Sequence, residues 1–93
     1  MNDTAATILE QLGGRKMLVM TGAKVHSYSD TSLVLKLPIG MVRMFEVSYD
    51  PGDDLYTVRT YNSKYTLLNQ MDDVFCDDLI PLFETETGLY TSL

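Results

Sequence analysis

The sequence predicts an α+β fold of two layers, an antiparallel sheet of about 4–5 strands with an N-terminal and a C-terminal helix packed on one face. Three observations predict it. Apolar and polar residues alternate with a period of two in the central segments, tight-turn residues separate those segments, and helical spacing of apolar residues is confined to the two ends. With 93 residues the chain has enough material for one core and too little for two, so residues 1–93 are read as a single domain.

Ala5, Ile8, Leu9 and Leu12 stand at helical spacing, with Asp3 or Thr4 available as cap and Gly13-Gly14 as terminator, which predicts a short amphipathic helix over residues 3 to 12. Lys16 to Met20 reads as a short two-sided strand and Thr21 to Lys24 as an irregular exit. Val25 to Thr31 is polar and ambiguous. In Ser32 to Leu37 the leucines alternate with Val34 and Lys36, a strand with one apolar face, and Pro38 and Gly40 stop it. Met41 to Tyr49 resumes the β pattern, with Phe45, Val47 and Tyr49 opposite Met44, Glu46 and Ser48. Asp50-Pro-Gly-Asp-Asp54 is the strongest turn signal and predicts a hairpin into Leu55 to Tyr61. After a second turn at Asn62-Ser63, Lys64 to Asn69 gives one more strand. Phe75, Leu79, Leu82 and Phe83 then predict a helix over residues 74 to 87. Pro81 is tolerated there if regular pairing begins at Asp77 or Asp78, which leaves the proline in the first turn.

Composition narrows function mainly by exclusion. The chain is 45% hydrophobic and carries a formal charge of −6, which fits a small acidic globular domain and disfavours a general nucleic-acid binder. No apolar run is long enough to span a bilayer, no export leader is visible, and the lone Cys76 makes no internal disulfide, so a cytoplasmic protein without membrane partners is expected. The charge is uneven: four acids face five bases from Met1 to Tyr49, and nine acids face only Arg59 and Lys64 thereafter. Such asymmetry becomes a surface property only if the fold makes it one.

Chemistry-bearing constellations are scarce. His26 is the only histidine and lies in a polar stretch, whereas Cys76 falls on an expected apolar helix face with no cation nearby in sequence to activate it. One cysteine and one histidine fall short of a zinc site, and the Asp50–Asp54 segment lacks the ligand order of a calcium loop. No cofactor, metal or catalytic residue is expected, and the chain is read as a non-enzyme. Asp50, Asp53, Asp54, Asp72, Asp73, Asp77 and Asp78 are the candidate protein-interaction residues, with turn and helix-cap chemistry as their ordinary explanation. A direct single-strand nucleic-acid binder is the alternative, stacking bases on Tyr56, Tyr61 and Tyr65 beside Arg43, Arg59 and Lys64. The outer sheet face, with Val34, Met44 and Leu68, could instead pair two copies of the chain.

Leu9-Glu-Gln-Leu-Gly-Gly14, Met20-Thr-Gly-Ala-Lys24, Leu55-Tyr-Thr-Val-Arg59 and the ending Glu86-Thr-Gly-Leu-Tyr-Thr-Ser-Leu93 cover much of the chain. Together they resemble a family of small uncharacterised proteins of bacteriophages, prophages and bacterial mobile elements. Pro81 and the Asp50–Asp54 turn stand as local departures from it. That family carries no assigned activity, so the resemblance transfers no catalytic residue. With the composition, it implies an accessory protein that binds another protein, one version being an acidic inhibitor of a host nucleic-acid-binding protein.

Overall fold

A computed structural model describes residues 1–92. Helices α1 (Asp3–Gln11) and α2 (Gly14–Thr21) precede strands β1 (Lys24–Tyr28), β2 (Ser32–Lys36), β3 (Met44–Asp50), β4 (Leu55–Tyr61) and β5 (Leu67–Val74). A 3-10 turn, Cys76–Asp78, then leads into α3 (Leu79–Thr87). The strands form one sheet in the order β1-β2-β3-β4-β5, and every neighbouring pair is antiparallel. This is the expected α+β architecture.

Register explains which face is buried. Leu33, Val47 and Val58 share one row, and Leu35, Phe45 and Thr60 the next. Ile8 of α1 and Leu12 at its C-cap, Met17 of α2 and Leu79 and Phe83 of α3 close over those rows and join one core. The Phe45 and Phe83 rings meet edge to face, with centroids 4.9 Å apart, and so fasten α3 to the middle of the sheet. The opposite face carries Val34, Lys36, Met44, Glu46, Arg59 and Tyr61, and no helix covers it.

Several elements differ from the sequence reading. Lys16 to Met20 is helical and forms most of α2, which adds a third helix to the two expected. Gly13 and Gly14 do end α1, and they also turn the chain directly into the next helix: Gly13 has φ 116°, and a Cβ there would lie 2.9 Å from that of Met17. Met17 and Thr21, one helical turn apart, are the buried side chains of α2, while Val19 is 74% exposed. The ambiguous polar stretch after Lys24 supplies β1, an edge strand bulged at His26. Asn2, rather than Asp3 or Thr4, caps α1, its side-chain oxygen accepting the Ala5 amide at 2.8 Å.

The β2–β3 connection is longer than expected, because β2 ends at Lys36 and pairing resumes at Met44, leaving residues 37 to 43 as a loop. β5 begins three residues later than expected and runs through Asp72 and Asp73, so these two are strand residues and cap no helix. Leu68 is an extra residue at a β5 bulge, and Leu67 takes the place opposite Tyr61. At the end of the chain α3 starts at Leu79, which puts Pro81 in its first turn, where a missing amide costs little. No helix is long and apolar enough to cross a membrane among the described residues.

Candidate functional site

In an antiparallel meander, alternate connections fall at opposite ends of the sheet. The β1–β2 turn, the β3–β4 turn and the exit from β5 share one end; the entry to β1, the β2–β3 loop and the β4–β5 turn share the other. The first group holds Asp30, then Asp50, Asp53 and Asp54, then Asp72, Asp73, Asp77 and Asp78. The Asn2 amide donates to the Ser29 carbonyl at 2.6 Å, which brings the start of α1 and Asp3 to the same end. All nine aspartates of the chain therefore collect at one end of the sheet, with no lysine or arginine in the connections that form it. The opposite end contains Lys24, Lys36, Arg43 and Lys64, with no carboxylate in its strand ends or connecting loops.

The seven sequence-predicted interaction aspartates are thus brought together, and Asp3 and Asp30 join them from segments where single acids gave no signal. Local chemistry engages only some of them. Asp50 Oδ1 accepts the Gly52 amide at 2.9 Å, the turn role expected of it, and Asp72 Oδ1 accepts from the Gln70 side chain at 3.1 Å. Asp78 precedes α3, yet its side chain makes no capping bond. Asp54, at φ 57°, accepts the Tyr49 hydroxyl at 2.6 Å. That bond to a carboxylate, reinforced by burial, holds the Tyr49 phenol above its ordinary range.

Between this end and α1 lies a cleft of about 300 Å³, lined by Asp3, Thr4, Thr7, Gln11, Tyr49, Asp54 and Tyr56. Tyr56 donates to Gln11 Oε1 at 2.6 Å from within the core layer; burial, and then the neighbouring Cys76 sulfur, raise its proton affinity. The cleft offers oxygen atoms and negative charge, without a paired nucleophile and base. His26 sits on β1 and Cys76 beyond β5, at opposite edges of the sheet, so they do not converge. Cys76 is exposed rather than packed on a helix face, and Phe75 beside it is exposed as well. No group of three or more His, Cys, Asp or Glu side chains is arranged to hold a metal ion among the described residues.

The nucleic-acid candidates separate in space. Tyr56 is buried under α1 and has no open ring face. Tyr61 and Arg59 lie on the uncovered face but are tied to one another through Glu46: the Tyr61 hydroxyl donates to Oε1 at 3.1 Å, and Arg59 Nη1 stands 3.8 Å from the same atom. Arg59 also donates to Gln70 at 3.0 Å. Burial first, and then Glu46, raise the Tyr61 phenol above its usual value. Tyr65 is different. It is 64% exposed at φ 63°, a conformation imposed by a turn in which Asn62 Oδ1 accepts the Lys64 and Thr66 amides. Arg43 and Lys64 belong to the basic end, where Arg43 Nε donates to the Leu37 carbonyl at 2.8 Å.

No family model, curated protein or solved structure matches this chain.

Proposed function

We propose that this chain is a non-enzymatic protein-interaction module whose acidic end occupies a basic surface of another protein, of the kind that otherwise receives nucleic-acid phosphates. The observation that carries the reading is the gathering of every aspartate at one end of the sheet, with no lysine or arginine in the strand connections that form it. Carboxylates so grouped sum to a directional negative field, which favours encounter with a complementary basic cleft and repels nucleic acid from the same end. The resemblance to small proteins of phages and mobile elements supplies a context in which such a module would act as an inhibitor of a host factor.

The test is capture from bacterial lysate at low salt, comparing the natural chain with an Asp30→Asn, Asp53→Asn, Asp77→Asn, Asp78→Asn variant of unchanged circular dichroism. The expected catch is a nucleic-acid-binding protein that high salt releases, that duplex DNA displaces, and that the variant fails to retain. Equal capture by the variant, or a catch indifferent to DNA, refutes the reading. Of its three tyrosines, Tyr56, Tyr61 and Tyr65, the single-strand binding alternative keeps Tyr65 alone as a freely exposed ring. It requires oligonucleotide binding that Tyr65→Ala abolishes and salt weakens.

A further inference from the structure

The basic end carries a feature that neither the core nor the proposed partner explains. Six of the seven residues of the β2–β3 connection, Leu37-Pro-Ile-Gly-Met-Val42, are apolar or glycine and only Arg43 at its end is polar, although exposed hairpin loops are ordinarily built from polar and turn-forming residues. Leu37 and Val42 turn inward to the core, and the Leu37 amide donates to the Arg43 carbonyl at 2.8 Å, closing the base of the loop. Ile39 and Met41 at the tip are 64% and 79% exposed and belong to no core cluster. Around that tip stand Lys24 and Lys36, directly opposite each other across β1 and β2, with Arg43 at the loop base and Lys64 in the adjacent turn. Like charges facing each other across strands cost stability, and neither lysine has a carboxylate within ion-pair distance among the described residues.

We propose that this end docks on an anionic lipid surface, with Ile39 and Met41 entering the headgroup layer and Lys24, Lys36, Arg43 and Lys64 facing the lipid phosphates. An exposed aliphatic tip ringed by cations matches an anionic lipid interface, where insertion requires only apolar area and diffuse positive charge. The net negative charge of the chain does not oppose this. Strand β3 alone separates the two ends by about 20 Å, more than two screening lengths of about 8 Å at physiological salt, so the aspartates are largely invisible to the docked surface. Peripheral contact of this kind needs no spanning segment, so the lack of a long apolar run does not exclude it.

The chain has no tryptophan, so Met41→Trp places a single reporter at the tip. With vesicles of phosphatidylcholine containing phosphatidylserine, its emission should shift to the blue and the protein should sediment with the lipid. Both effects should vanish with phosphatidylcholine alone or at high salt. Adding Lys24→Ala and Lys36→Ala should weaken partitioning about 25-fold, at about fivefold per cation. In the natural chain, Ile39→Asp with Met41→Asp should abolish co-sedimentation without changing the circular dichroism. Emission unaltered by phosphatidylserine vesicles, or co-sedimentation indifferent to the two aspartates, overturns the proposal. A blue shift without lipid that grows with protein concentration also overturns it, and assigns the tip to a second copy of the chain. Purified protein and lipid are the only components, so the outcome is independent of whether the acidic end has a protein partner.

Discussion

Thr60 offers the sharpest test of the core. It lies on the inner face of β4, wholly buried, between Phe45 on β3 and Asn69 on β5. Its hydroxyl finds no hydrogen-bond partner among the described residues. An unpaired buried hydroxyl costs about 1–3 kcal/mol, and the methyl of an isosteric valine adds about 0.8 kcal/mol of apolar burial. Both residues are β-branched, so strand preference is unchanged. Allowing for incomplete repacking, Thr60→Val should stabilise the chain by about 1–2 kcal/mol, raising Tm by about 4–16 °C for a domain of this size. Urea unfolding should show a higher midpoint with an unaltered slope. Thr60→Ser keeps the hydroxyl and removes the methyl, and should cost about 1 kcal/mol. A Thr60→Val protein that melts below the natural chain would refute the reasoning, because it would mean that the hydroxyl is paired in solution.

Two further outcomes follow from the same packing and hydrogen bonds. Phe83→Ala empties the centre of the helix layer and removes the edge-to-face contact with Phe45, so chemical denaturation should register a loss of about 3–5 kcal/mol. A double cycle with Phe45→Leu isolates the ring–ring share. At alkaline pH, Tyr49, Tyr56 and Tyr61 hold their protons more tightly in the folded chain than at the unfolded value of 10.0. Their contribution to stability is complete below that pH and is lost as pH rises through the raised native values. Phenolate absorbance should therefore show these three protons leaving late, with Tm declining over the same interval.

The sequence made the central sheet legible because its signals there were redundant. In β2, β3 and β4 the alternation of apolar residues agrees with the turn chemistry of Asp50–Asp54 and with β-branched content. The Lys16–Met20 run lacked that agreement. Four consecutive apolar residues fit either period, and the deciding feature, burial of Met17 and Thr21 one helical turn apart with Val19 left in solvent, depends on where α2 docks. β1 was obscure because an edge strand with one bulge buries too little to show a pattern. The candidate site was half legible. Individual aspartates were conspicuous, and turn chemistry explains why Asp rather than Glu supplies them. Their assembly at one end needed the order of the strands, because alternate connections share an end only in a meander. The basic end is illegible in the sequence for the same reason: Lys24, Lys36, Arg43 and Lys64 are spread over three segments of it.

The closure of the acidic end from four separated stretches makes it a discontinuous determinant. Residues 2–3, 30, 50–54 and 72–78 share a surface only while the strands between them are paired. No synthetic peptide copied from the chain can reproduce it, and a protease cut within the sheet destroys it without touching an aspartate. Any partner that recognises this end therefore reads the folded state alone. Its binding free energy adds directly to conformational stability, and a rise in melting temperature can report engagement before the partner's own contacts are known.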